Sequence, residues 1–108
     1  MQPICFVTDL SPGQKKRIVA NNHPLMVVNV DGEFFVTDDT CTHAQASLTA
    51  GCLKGYEIEC PRHGARFDIR TGAVKAFPAA IPLKKYPVII KDNEVLIDAE
   101  FQSIAGIQ

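Results

Sequence analysis

The feature that most constrains the fold of this chain is a pair of short segments, each with one cysteine and one histidine. The segments are Cys41-Thr-His43 and Cys60-Pro-Arg-His63, separated by the sixteen residues 44–59. They hold two of the four cysteines and two of the three histidines in a chain of 108 residues. Such a concentration of soft and borderline ligands predicts a metal site formed where two loops meet.

Composition is typical of an ordinary globular protein. Hydrophobic residues make up 46% of the chain and charged residues 21%, so we expect residues 1–108 to form a single domain. The formal net charge of −1 gives no reason to expect a nucleic acid or an anionic membrane as partner. We find no signal peptide and no apolar run of about 18 residues, and we therefore expect a cytoplasmic protein with reduced thiols.

Turn signals recur at short intervals along the chain. Asp31-Gly32 and Asp92-Asn93 each lie between two short runs rich in Val, Ile and Phe, as in two-residue β-hairpins. No long segment repeats apolar residues with the period of a helix. The sequence therefore predicts an all-β fold, a small antiparallel sandwich or barrel.

Each cysteine–histidine segment follows a predicted strand. Cys41 comes soon after the run 34–38, and Cys60 comes directly after the run 56–59. If those strand ends are neighbours, two loops can present four ligands to one point on a rigid support.

Two kinds of metal centre suit this ligand set. Zinc is often held by two cysteines and two histidines, but zinc modules commonly place both cysteines before both histidines, whereas this chain alternates them. In a Rieske [2Fe–2S] cluster, two histidines replace two cysteines on one iron, which suits one mixed pair on each loop.

The segments Cys41-Thr-His43 and Cys60-Pro-Arg-His63-Gly64 resemble the signature of Rieske proteins, C-x-H and then C-x-x-H-G. The similarity continues at Phe67-Asp68, Thr71-Gly72 and Pro78, and at Tyr86-Pro-Val88 in the last strands. Over essentially its whole length, the chain looks like the soluble Rieske-type ferredoxins of bacterial ring-hydroxylating dioxygenases.

This resemblance implies one Rieske-type [2Fe–2S] cluster per chain, in a subdomain of two ligand loops at about 40–64. Cys41 and Cys60 would bind one iron, and His43 and His63 the other. A third loop at about 76–80 would cover the cluster. The expected surface for partner docking consists of Gln45, Ala46, Arg62 and Pro78.

The implied function is that of a one-electron carrier and not of an enzyme. A monomer would take electrons from an NAD(P)H-dependent flavoprotein reductase and pass them to the terminal oxygenase of an aromatic-ring-hydroxylating dioxygenase. The alternatives are the small Rieske-like subunit of an assimilatory nitrite reductase and a zinc-binding structural module. A complete oxygenase is excluded, because only His23 would remain for a second, mononuclear iron site.

Departures from the respiratory Rieske proteins point to a low reduction potential. Those proteins carry a disulfide between their ligand loops, but Ala46 and Arg62 stand at the corresponding places here. They also have a serine hydroxyl that raises the potential, where this chain has Ala65.

The remaining candidate residues have simpler expected roles. Cys5 lies in an apolar strand and is expected to be a small buried hydrophobe, while Cys52 lies in a loop. A disulfide between them or a fifth ligand is a minor alternative in a reducing compartment. We expect His23 to be a surface turn residue, and the sequence leaves open whether 101–108 packs on the sheet.

Overall fold

A computed structural model describes residues 1–42, 45–62, 64–76 and 81–98. Within these ranges, every strand pairing is antiparallel, and the helical residues are confined to two three-residue 3₁₀ turns, Val7–Asp9 and Leu48–Ala50. This confirms the predicted all-β fold. In this part of the chain, no helix has the length and apolar character needed to cross a membrane. The strands are β1 Gln2–Phe6, β2 Lys15–Ala20, β3 His23–Val30, β4 Glu33–Asp38, β5 Cys52–Lys54, β6 Glu57–Glu59, β7 Arg66–Asp68, β8 Val74–Ala76, β9 Lys85–Tyr86, β10 Val88–Lys91 and β11 Glu94–Ile97.

The described strands form three sheets. The central sheet has the order β2-β3-β4-β9, and its first three strands are consecutive hairpins. The terminal sheet, β1-β11-β10, joins the first strand to the last two. The ligand-loop sheet, β5-β6-β7-β8, is a meander.

Strand β3 is buried on both of its faces. Four consecutive residues of β3 are 0% exposed: Leu25, Met26, Val27 and Val28. The even-numbered pair belongs to a core cluster that includes Phe67 of the ligand-loop sheet. The odd-numbered pair belongs to a second cluster that includes Val95 of the terminal sheet. Because side chains alternate across a strand, the central sheet is the middle layer between the other two.

Three two-residue turns connect neighbouring antiparallel strands. Both turn residues have a positive φ in Asn21-Asn22 (52° and 64°), Asp31-Gly32 (53° and 90°) and Asp92-Asn93 (53° and 64°). A positive φ at both positions is the mark of the type I′ hairpin, and Asn, Asp and Gly tolerate it best. The hairpins predicted at Asp31 and Asp92 are thereby confirmed.

His23 is not the exposed turn residue that we expected. It begins β3 and is half-buried, and its Nε2 lies 2.8 Å from Asp38 Oδ1. Tyr86 Oη donates a 2.5 Å hydrogen bond to the same carboxylate oxygen. Burial, together with this bond to Asp38, raises the pKa of Tyr86 well above its usual value. The three side chains therefore link β3, β4 and β9 across the central sheet.

Cys5 and Cys52 are both free thiols, so the alternative of a disulfide between them is wrong. Cys5 lies half-buried on β1 and packs against the second core cluster, whereas Cys52 is exposed on β5. Burial raises the pKa of Cys5 to about 11; nearby Asp9 acts in the same direction and Lys16 opposes it.

These two thiols should differ in reactivity. At pH 8, iodoacetamide should alkylate Cys52 and leave Cys5 unmodified, because only the thiolate is nucleophilic and a pKa near 11 leaves about 0.1% of Cys5 in that form. The rate at Cys5 should rise as the pH approaches 11. Mass spectrometry of tryptic peptides measures both rates, with the Cys52→Ala variant as control. Equal labelling of the two residues at pH 8 would contradict this expectation.

Gly51 lies where the backbone leading out of the first ligand segment touches the backbone leading into the second. A Cβ at this position would lie 1.9 Å from the carbonyl oxygen of Glu59, the residue before Cys60. It would also lie 3.1 Å from the carbonyl oxygen of Leu48. The first of these distances is far below van der Waals contact with an atom that cannot rotate away, so the position accepts only glycine.

Gly51→Ala should therefore destabilise the protein by about 2–3 kcal/mol, the upper part of the range for overpacked sites. Gly55→Ala is the matched control, since a Cβ there meets nothing within 4 Å although its φ is +61°. That left-handed backbone should cost about 1 kcal/mol. Chemical denaturation followed by circular dichroism compares the two variants. A Gly51→Ala protein as stable as Gly55→Ala would refute the close approach.

Candidate metal centre

The two cysteines of the predicted site begin two hairpin loops of the same construction. The backbone N–H of Cys41 donates to the carbonyl oxygen of Ala46 at 3.0 Å. The backbone N–H of Cys60 donates to the carbonyl oxygen of Ala65 at 2.7 Å. Each bond joins a cysteine to the residue five positions later, so that both cysteines sit at the base of a four-residue loop.

The next pair of residues outward is also matched in the two loops. Thr40 forms an isolated antiparallel bridge with Ser47 below the first loop. Glu59 pairs with Arg66, across β6 and β7, below the second loop. The first loop extends the end of β4 in the central sheet, and the second connects two strands of the ligand-loop sheet. The two loops thus belong to different layers of the molecule.

Both thiols are buried in the same apolar environment. Cys41 is 3% exposed and Cys60 is 1% exposed. Both belong to the core cluster between the central and ligand-loop sheets, with Leu48, Ile58 and Leu83 among its members. This environment excludes water from the cysteine side of the site and favours soft sulfur ligands for a metal.

The histidine half of the predicted site lies outside the described residues. This holds for His43, His63 and the predicted docking residue Pro78. Within the described ranges, no three residues among His, Cys, Asp and Glu are close enough to form a metal site. The two buried thiols, those of Cys41 and Cys60, suit the cysteine half of a Rieske ligand set.

A third segment of the chain is tied to the first ligand loop. Thr42 Oγ1 donates a 2.7 Å hydrogen bond to the carbonyl oxygen of Ile81. Two residues later, the buried Leu83 donates its backbone N–H to the carbonyl oxygen of Gly72 at 2.8 Å. A Cβ on Gly72 would lie 1.9 Å from the carbonyl oxygen of Leu83, so glycine is required there as well. These contacts fix the chain just after the predicted covering loop, of which 77–80 lie outside the described residues.

The predicted docking residues on the described part of the ligand loops differ in exposure. Gln45 and Arg62 are exposed, whereas Ala46 is half-buried and packs against the core cluster. Ile81 is 62% exposed and lies next to the first ligand loop through its bond with Thr42, although it belongs to no motif. Its only sequence signal is an apolar residue beside the predicted covering loop.

Asp39 lies two residues before Cys41 and carries no motif signal in the sequence. Asp39 is 1% exposed, and its carboxylate accepts hydrogen bonds from Ser47 and Thr49 beyond the first ligand loop. Its position next to Asp38, at the end of a predicted strand, gave no hint of burial. No local pattern could have indicated it, because Ser47, Thr49 and Arg17 lie 8, 10 and 22 residues away along the chain.

Comparison with known proteins agrees with this geometry. The family pattern of the Rieske [2Fe-2S] domain matches residues 1–87. A curated relative, the ferredoxin component of biphenyl 2,3-dioxygenase from Rhodococcus jostii, is 44% identical over 97 residues, which cover 90% of this chain and 91% of the relative.

Two solved structures are similar over nearly their whole length. The ferredoxin of Sphingomonas yanoikuyae B1 is 49% identical with a TM-score of 0.86, covering 91% of this chain and 97% of that one. A chain in the complex of reduced oxygenase and oxidized ferredoxin of carbazole 1,9a-dioxygenase is 40% identical with a TM-score of 0.82, covering 89% of this chain and 99% of that one. These similarities indicate that the chain holds a Rieske-type [2Fe–2S] cluster. The chain belongs to the Rieske [2Fe–2S] domain family and, within it, to the ferredoxin components of aromatic dioxygenase systems.

Proposed function

We propose that this ferredoxin carries single electrons from an NAD(P)H-dependent flavoprotein reductase to the terminal oxygenase of an aromatic-ring-hydroxylating dioxygenase. The observation that carries this proposal is the end-to-end similarity to ferredoxin components, 49% identity over 97% of a solved one. An electron carrier needs a redox centre near its surface and no substrate pocket. The chain is the electron-transfer component of such a system and not its catalytic enzyme.

We further propose that Cys41 and Cys60 bind one iron and that His43 and His63 bind the other. The support for the cysteine half is the matched burial of the two thiols at the bases of two equivalent loops. The histidines are assigned from their motif positions alone. With thiolates and neutral imidazoles as ligands, the cluster is uncharged when oxidised and takes up one electron on reduction.

The buried Ala65 supports a low reduction potential. It is 0% exposed, lies in the same core cluster as Cys60, and offers a methyl group where a hydroxyl would donate to the cluster. We propose a potential near the bottom of the Rieske range, which runs from about −150 to about +300 mV.

The proposed docking surface surrounds the ligand loops and consists of Gln45, Ala46, Arg62 and Pro78. Exposed Gln45 and Arg62 would give it a polar rim, as suits short-lived contacts between redox partners. Residues 76–80 would form the loop that covers the cluster. The protein would act as a cytoplasmic monomer with 1–108 as one domain.

The two alternative functions have less support. Relatives at 44% and 49% identity are ferredoxins, which favours the carrier over a nitrite-reductase subunit. A zinc-binding module is disfavoured by the match of the Rieske family pattern to residues 1–87.

The cluster and its ligands can be tested together by electron paramagnetic resonance (EPR). The purified protein, reduced with dithionite, should give a rhombic signal with an average g value below that of all-cysteine clusters. Cys41→Ser should lose this signal, because it removes a thiolate ligand, whereas the matched control Cys52→Ser should keep it, since Cys52 is exposed and lies on β5. A colourless wild-type protein with one zinc would overturn the proposed function. A wild-type signal from Cys41→Ser would overturn the ligand assignment.

Electron delivery tests the docking surface. Arg62→Glu should slow reduction of a purified terminal oxygenase by about tenfold, the effect of roughly 1.4 kcal/mol on encounter, and should leave the EPR signal unchanged. Lys91→Glu makes the same charge change at an exposed position of the terminal sheet, on the other side of the central sheet, and should have little effect. Stopped-flow absorption measures both rates. Equal rates for the two variants would exclude Arg62 from the docking surface.

A further inference from the structure

The carboxylate of Asp39 is buried beneath the first ligand loop. Its side chain is 2% exposed, and four donors from three residues surround it. Ser47 Oγ donates to Oδ2 at 2.6 Å, and the backbone N–H of Thr49 donates to Oδ1 at 2.9 Å. The hydroxyl of Thr49 also donates to Oδ1. On the other side, Arg17 Nε donates to Oδ2 at 3.2 Å.

The backbone of Asp39 is held as firmly as its side chain. Its N–H donates to the carbonyl oxygen of Pro24 at 3.2 Å, which fixes it to β3. Its carbonyl oxygen accepts a 2.7 Å hydrogen bond from the N–H of Leu48. With the bridge between Thr40 and Ser47, these bonds join the chain entering the loop to the chain leaving it.

Asp39 therefore connects two parts of the molecule to Cys41, the central sheet and the exit of the first ligand loop. Arg17 belongs to β2 at the edge of the central sheet, while Ser47 and Thr49 belong to the exit of the loop. Asp39 itself lies two residues before Cys41. A displacement of its carboxylate would release the loop exit and move Ser47. The adjacent Ala46, whose carbonyl oxygen accepts the hydrogen bond from the N–H of Cys41, would move with it.

The charge of this carboxylate has an effect of its own. Arg17 is half-exposed at 51%, so water screens its positive charge more than the buried charge of Asp39. A net negative potential at the base of the ligand loop would oppose the arrival of an electron at a cluster bound there, and would lower its reduction potential.

We propose that Asp39 is a positioning residue of the redox centre, which holds Cys41 in place through Ser47 and Thr49 and lowers the reduction potential by its buried charge. The inference rests on the proposed role of Cys41 as a ligand.

The test compares Asp39→Asn with Asp68→Asn in the cluster-loaded protein. Asn has nearly the same volume as Asp but no charge, and its amide group would meet the donors of Ser47 or Arg17. Asp68 is the matched control because it is also a buried carboxylate paired with an arginine: Arg70 donates to it from its backbone N–H (2.8 Å) and from its guanidinium (3.1 and 2.9 Å). These bonds lie within the turn after β7 and not in a ligand loop.

Asp39→Asn should raise the reduction potential and shift the EPR g values of the reduced protein. Asp68→Asn should lose thermal stability and keep both the potential and the g values of the wild type. Wild-type potential and g values in Asp39→Asn, with only a lower melting temperature, would overturn the proposal, because Asp39 would then be a structural residue like Asp68.

Ser47→Ala decides the question if Asp39→Asn fails to fold. This variant removes one hydroxyl donor and keeps the charges of Asp39 and Arg17. It should still shift the g values, because Cys41 would be held less firmly. Unchanged g values in Ser47→Ala would overturn the positioning role. Cys41→Ser distinguishes a failure of the positioning role of Asp39 from a failure of the ligand role of Cys41. A wild-type EPR signal in Cys41→Ser would show that Cys41 is not a ligand.

Discussion

The structure depends on one strand that has no solvent-facing side. Because β3 is buried on both faces, the central sheet needs a cover on each, and the terminal and ligand-loop sheets supply them. The first ligand loop extends the central sheet and the second extends one of its covers. The packing of Met26 and Val28 against Phe67 between these layers therefore sets where the two buried cysteines stand relative to each other.

The contact between the two layers is supported by different means on its two sides. Because Gly51 and Gly72 have no side chain, the backbone of Glu59 can approach Gly51 and the backbone of Leu83 can approach Gly72. At the base of the first loop, the buried carboxylate of Asp39 accepts hydrogen bonds from the hydroxyl of Ser47 and the backbone N–H of Thr49, both of which are half-buried. Glycines that allow close backbone contact and a buried carboxylate with hydrogen-bond partners thus both fix loops that lack regular secondary structure.

Local signals were sufficient for the strands and hairpins, since turns such as Asp31-Gly32 carry their backbone preference in their own residues. Motif spacing also singled out Cys41 and Cys60 among the four cysteines, and the structure brings both thiols into one core cluster. The three-layer arrangement, the contact of His23 with Asp38 and the burial of Asp39 could not be predicted, because each depends on a partner far along the chain or in another layer. The roles of all four proposed ligands and of the docking residues, Cys41, His43, Cys60, His63, Gln45, Ala46, Arg62 and Pro78, stay predictions.

The equivalent construction of the two ligand loops has a consequence for the speed of electron transfer. A backbone hydrogen bond from each cysteine's own N–H closes each loop, and apolar side chains pack around both thiols. This close, apolar packing restricts the movement of both sulfurs when a nearby charge changes. With Cys41 and Cys60 as cluster ligands, as proposed, the reorganisation energy on the cysteine side would therefore be small, and the centre would exchange electrons quickly even when the driving force is slight.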